Sequence, residues 1–190
     1  MTGPVPASTT RARRDRLRGL LRTAGLDALL LTDLINLRYL TGFTGSNAAL
    51  LVVADDAEEV EGTTDIEDIT DGPATKGTTA DDAGRTRTRF CTDGRYTTQS
   101  AAEVPDLPRL IGRPCDRALL ALAPGGVVGF EARSLSVADH TDLTAAARDA
   151  AAKPKLTATV GLVEQLRAVK DVAEIDALRR ACEVADRALA

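Results

Sequence analysis

Few residues in this 190-residue chain have side chains suited to chemistry. There is one histidine, His140, and there are three cysteines, Cys91, Cys115 and Cys182. No second histidine and no Cys-x-x-Cys pair is present to complete a zinc site. His140 stands near Asp139 and Asp142 on a helical stretch and reads as a surface or half-buried helix residue. Ser46 lies outside any G-x-S-x-G elbow, so a Ser46–His140–Asp triad has only composition behind it. The G-x-G-x-x-G and G-x-x-x-x-G-K-[ST] phosphate loops are absent. Asp93 and Glu131 could pair as acid and base. Asp93 reads more simply as a turn or cap residue, and Glu131 as the end of a strand. The cysteines read as small buried hydrophobes. Their odd number argues against a disulfide framework and fits a reducing cytosol.

One short stretch stands apart. "TGFTGS", residues 41–46, places an aromatic between two glycines, and only three phenylalanines occur in the chain. Gly42 and Gly45 would allow backbone angles that a Cβ forbids. Phe43 is then either a buried turn residue or part of a loop facing a ligand, with Ser46 and Asn47 as polar neighbours. "GFTG" is also a G-x-x-G, which in KH domains clamps an RNA backbone. Here a strand-like run follows and Arg38 is the only basic residue nearby, so RNA binding is not expected.

These residues are carried by alternating α and β elements. Leu17, Leu20, Leu21 and Ala24 recur at helical spacing. The first 25 residues are arginine-rich and poor in acids, as in organellar transit peptides. The spacing instead favours a first structural helix with its arginines on the solvated face, preceded by a short disordered tail, 1–9. Residues 26–32 and 48–54 read as buried strands, and 33–40 as a short helix with Asp33 as N-cap. Residues 55–88 are charged and turn-rich, a solvated or disordered insertion. They lack the D-x-[DN]-x-[DN]-G spacing of a calcium loop. A strand, an Asp-Gly turn and a helix follow over 89–101. Next come a helix over 116–126, a strand over 127–131, a helix over 136–151 capped by Ser136, and an edge strand over 155–160. Near the end, Ile175, Leu178, Cys182, Ala185 and Leu189 form one apolar stripe behind a capping-box start at Asp171 and Glu174. No stop signal follows, so the stripe is expected to pack on a following domain.

Composition bounds the partners. The chain is 44% hydrophobic, enough for a core, and its net charge of -4 gives no overall attraction to nucleic acid or anionic lipid. No apolar run is long enough for a membrane helix.

Four stretches together resemble one family. "NLRYLTGFTGSNAALLV" (36–53) resembles the N-x-x-Y-L-T-G-F-x-G-S signature of creatinase/prolidase-type N-terminal domains. "TDGRYTTQSA" (92–101), with Asp93, Gly94, Arg95 and Tyr96, is similar to the same domain's T-D-G-R-Y segment, and "VGFEARSLSVADHTDL" (128–143) to its G-F-E strand and following helix. "LVEQLRAVKDVAEIDALRRACEVADRAL" (162–189) resembles the linker and first helix of a pita-bread catalytic domain. The long charged insertion departs from the family pattern.

The resemblance implies a three-layer α/β/α fold with a mixed, ribonuclease-H-like sheet. It places the creatinase/prolidase-type domain at 10–160 and the start of a missing catalytic domain at 161–190. It implies a cytoplasmic Xaa-Pro aminopeptidase or prolidase acting on proline-containing peptides with two divalent metal ions, manganese, cobalt or zinc. The metal ligands would all lie downstream, leaving this chain without catalytic or metal-binding residues. Its part would be to shape the active-site cleft and a homodimer or homotetramer interface. Phe43, Gly45, Ser46 and Asn47 would form the cleft rim. Asp93, Gly94, Arg95 and Tyr96 would form a structural motif. A creatinase-type amidinohydrolase shares the domain plan, and a standalone interaction module that has lost catalysis is the other alternative.

Overall fold

The computed structural model describes residues 5–55, 66–68 and 88–189. Its strands are β1 (Ala28–Leu31), β2 (Ala48–Val53), β3 (Ile66–Asp68), β4 (Arg89–Thr92), β5 (Arg109–Ile111), β6 (Val127–Glu131) and β7 (Lys155–Thr159). They form one sheet in the order β3-β5-β4-β2-β1-β6-β7. β2 pairs antiparallel with β1 and β4, and the other pairings are parallel. The mixed sheet expected is present, with β7 on an edge. Most of the 55–88 insertion lies outside the described residues. β5 has no counterpart in the sequence reading.

The helices are α1 (Ala7–Thr23), α2 (Leu34–Thr41), α3 (Thr97–Glu103), α4 (Cys115–Leu120), α5 (Val137–Asp149), α6 (Leu162–Ala168) and α7 (Val172–Leu189). α1 begins at Ala7, inside the stretch expected to be a tail, and α4 stops at Leu120, earlier than the Pro-Gly-Gly signal. Asp33 caps α2 by accepting from Ile35 N and Asn36 N. Ser136 and Asp139 form a capping box on α5.

Because side chains alternate across a strand, the central strands feed two cores. Leu29, Leu31, Leu50 and Val52 point to one face, where Leu17 and Leu21 of α1, Leu37 and Leu40 of α2, and Val163 of α6 cover them. Leu30, Ala49 and Leu51 point to the other, under Leu119 and Leu120 of α4 and Leu143 of α5. This is the three-layer α/β/α arrangement.

One expectation fails on α1. Arg13, Arg14 and Arg18 are buried, while Ala24 is exposed. The arginines answer carbonyls and carboxylates on neighbouring elements. Arg13 donates to Tyr39 O, and Arg14 to Leu40 O and Asp106, at 2.9, 2.9 and 2.5 Å. Arg18 reaches Thr88 Oγ1 at 3.1 Å. A guanidinium with several partners can be buried where an unpaired charge could not.

Candidate functional site

β1, β4 and β6 run in one direction and β2 against them, so the carboxyl ends of the first three meet the start of β2. A cleft of about 670 Å³ opens there, lined among others by Thr32, Ser46, Asn47, Arg95, Arg113 and Cys115. Crevices outside the carboxyl ends of strands are the usual ligand sites of open α/β sheets.

The "TGFTGS" loop forms part of this edge. α2 ends at Gly42, whose φ of 82° is left-handed and whose N–H donates to Arg38 O at 2.8 Å. Phe43 then turns inward. It is 2% exposed, with its ring edge-on to Phe90 at 4.9 Å and to Tyr96 at 5.5 Å between centroids. Phe43 is thus packed as a core residue. Gly45 does not adopt a left-handed φ. It is glycine for want of room, since a Cβ there would lie 2.3 Å from Phe43 Cζ. Ser46 and Asn47 are among the residues lining this crevice.

The loop is fastened to the "TDGRY" segment. Ser46 Oγ lies 2.7 Å from Tyr96 OH, which also accepts from Ser46 N at 3.2 Å. Asn47 Nδ2 donates to Asp93 Oδ2 at 2.6 Å. Thr44 N and Oγ1 donate to Glu103 at 2.7 and 2.8 Å.

Asp93 is the hub. It is 4% exposed and caps the 3₁₀ turn Gly94–Tyr96 by accepting from Arg95 N. Arg95 Nη2 and Arg113 Nη2 lie 2.9 and 2.7 Å from its Oδ2. The Arg95 guanidinium first, then Arg113 and Asn47, hold its carboxyl far below the usual carboxylate range against the opposing effect of burial. Asp93 is therefore a fixed anion that orients two exposed guanidiniums at the cleft wall. Arg113 was not expected. It follows the unforeseen β5, and nothing in its spacing links it to Asp93.

The other candidates do not converge. Glu131 accepts from Thr32 N, Asp33 N and Asn36 Nδ2 at 2.8, 2.8 and 2.7 Å. Burial pushes its carboxyl above the ordinary range, against those donors. No hydrogen bond joins it to Asp93 among the described residues, so the two do not form an acid–base pair. His140 is exposed on α5, with its ring 5.1 Å from that of Phe130. Ser46 Oγ is engaged by Tyr96, and no Ser46–His140 contact forms. Cys91 and Cys115 are buried and free, while Cys182 is exposed.

The family model for the creatinase/prolidase N-terminal domain matches residues 13–66. The crystal structure of the N-terminal domain of the cytoplasmic peptidase PepQ from Mycobacterium tuberculosis H37Rv is similar over more of the chain. It is 36% identical, covers 82% of this chain and 98% of its own, and superposes with a TM-score of 0.63. The chain belongs to the creatinase/prolidase N-terminal domain family. The creatinase/prolidase fold extends to an Xaa-Pro dipeptidase from Bacillus anthracis, 24% identical, with a TM-score of 0.67 over 95% of this chain and 42% of that one. The uncharacterized peptidase YqhT of Bacillus subtilis (strain 168) is 29% identical over 92% of this chain. This creatinase/prolidase chain spans 40% of the length of that curated relative.

Proposed function

We propose that this chain is the non-catalytic N-terminal domain of a dinuclear metal-dependent Xaa-Pro peptidase of the aminopeptidase P or prolidase type. The observation that carries the reading is the 36% identity to a peptidase's N-terminal domain over 98% of that domain. Shared shape with an Xaa-Pro dipeptidase supports it.

In this reading residues 10–160 are the creatinase/prolidase domain and 161–190 lead into a catalytic domain. Ile175, Leu178 and Leu189 on α7 are 37%, 54% and 88% exposed, and the catalytic domain would cover them. Among the described residues no three His, Cys, Asp or Glu side chains converge where a metal ion could sit. The donors on these residues do not fit a dinuclear centre, so its ligands would come from the catalytic domain. The contribution of this chain is shape: Ser46, Asn47, Arg95 and Arg113 edge a cleft, and the Asp93 cluster keeps that edge rigid. Restriction of entry to small proline-containing peptides, a homodimer or homotetramer, and a cytoplasmic site complete the proposal. No helix among the described residues is long and apolar enough to cross a membrane.

The test uses the product of the complete reading frame, purified and supplied with manganese, cobalt or zinc. Hydrolysis of Xaa-Pro peptides, lost with a chelator, is the expected result. Turnover of creatine alone would replace the reading with an amidinohydrolase. A cellular product of 20.0 kDa without activity would replace it with an interaction module.

A further inference from the structure

We propose that Cys115 and Cys91 form a peroxide-responsive thiol pair, in which Cys115 is oxidised from the cleft and Cys91 resolves it to a disulfide. Cys91 lies on β4, and Cys115 is the first residue of α4. Both sulfurs lie against one carbonyl, Gly112 O, at 3.9 and 3.3 Å, and Cys91 Sγ is also 3.9 Å from Thr92 O. The shared oxygen puts both sulfurs in one neighbourhood of the core under α4.

The pair is asymmetric. Cys115 lines the cleft, whereas Cys91 is 0% exposed behind it. An oxidant in the cleft therefore meets Cys115 first. Asn47 Nδ2 lies 3.8 Å from Cys115 Sγ, on the same side chain that binds Asp93. The neighbouring Cys91 draws the Cys115 pKa down, against burial and the nearby Asp93 and Asp116 carboxylates. Cys91, beside Cys115 and fully buried, is pushed the other way. A cysteine lining a polar opening, with a second, fully buried cysteine against the same carbonyl, has the arrangement of an attacking and a resolving cysteine.

The chemistry balances with hydrogen peroxide as oxidant. The Cys115 thiolate attacks one peroxide oxygen, the O–O bond breaks, and hydroxide leaves and is protonated to water. The resulting sulfenic acid is attacked by the Cys91 sulfur. Its hydroxyl leaves with the Cys91 proton as a second water, and the S–S bond forms. Two thiols are oxidised by two electrons and one peroxide is reduced.

The test uses the whole chain with Cys182→Ser, which removes the exposed thiol. The protein is treated with hydrogen peroxide, unfolded in N-ethylmaleimide and weighed by intact mass spectrometry. The expected product has lost about 2 Da, carries no maleimide, and regains both adducts after dithiothreitol. In the Cys91→Ala variant dimedone should trap a sulfenic acid on Cys115. In the Cys115→Ala variant Cys91 should stay reduced. The proposal is overturned if both thiols remain alkylatable at a peroxide dose that oxidises Cys182 in the parent chain. It is equally overturned if Cys115 advances to sulfinic acid with Cys91 still free. The Cys182→Ser chain alone decides between these results should either alanine variant fail to fold.

Discussion

Arg13 of α1 closes on Asp171, the residue that caps α7. Its Nη2 and Nε lie 2.6 and 3.1 Å from the same Oδ2. The guanidinium also donates to Tyr39 O at 2.9 Å and lies 4.2 Å from the Tyr39 ring centroid. Asp171 in turn accepts from Glu174 N at 2.9 Å, and Glu174 accepts from Asp171 N at 3.1 Å. One arginine thus sets the direction in which α7 leaves the domain. Arg13→Ala should lower stability by about 3 kcal/mol, since it leaves a carboxylate and a carbonyl without their donor. Asp171→Ala should lower it by about 1–2 kcal/mol and fray the first turn of α7. Urea titrations and amide exchange at Glu174 read the two effects.

Gly42 and Gly45 should respond to alanine for different reasons. At Gly42 a Cβ meets nothing closer than 3.7 Å, so the penalty is that of a left-handed φ, about 1 kcal/mol. At Gly45 the Cβ would enter the Phe43 ring, so Gly45→Ala should cost about 2–3 kcal/mol. Combining Gly45→Ala with Phe43→Leu should recover part of that loss, while Gly42→Ala with Phe43→Leu should be additive. Thermal melts of the single and double variants separate the cases.

The sequence reveals local features of this fold well and distant pairings poorly. The Asp33 cap and the Ser136 capping box need partners two or three residues away, and both are legible. Buried strands such as β2 announce themselves by apolar runs. β5 is three residues long, flanked by Pro108 and containing Arg109, so it offers no pattern. Helical periodicity counts apolar residues only, so by itself it assigns the arginines of α1 to the solvated face. Their partners Tyr39, Leu40, Asp106 and Asp171 lie far along the chain. At the cleft, "TGFTGS" and "TDGRY" stand out as separate motifs. Their union follows from register: Ala48 pairs with Thr92, which sets Asn47 beside Asp93. The space taken by Phe43 against Gly45 exists only once the loop is folded.

Asp93→Asn tests the hub through pH. The wild-type carboxyl is held well below its unfolded value, so its contribution is fully present above the unfolded pKa, near about 4. That contribution is lost as pH falls toward the folded pKa. The variant should be less stable than wild type by about 2–4 kcal/mol at pH 7, because Arg95 and Arg113 lose their shared anion and one of its two acceptor oxygens. The gap should narrow as the pH drops below about 4. Urea midpoints across that range give the test, and a gap independent of pH would show that Asp93 acts by packing alone.

The apolar stripe of α7 makes the last prediction, because its effect depends on what lies against it. Leu178 is 54% exposed, and no side chain of α7 is buried. Leu178→Ser in this chain should therefore change stability by less than about 0.5 kcal/mol, as at any exposed site. The same change in the product of the complete reading frame should cost about 2–4 kcal/mol if a catalytic domain covers the stripe, because a buried leucine is then truncated. Differential scanning calorimetry of both proteins makes the comparison. Equal, small effects would mean the stripe stays in water and would remove the packing role proposed for α7. A large effect in the short chain would mean that the helix folds back on its own domain, and the clamp at Asp171 would then position a contact within the domain.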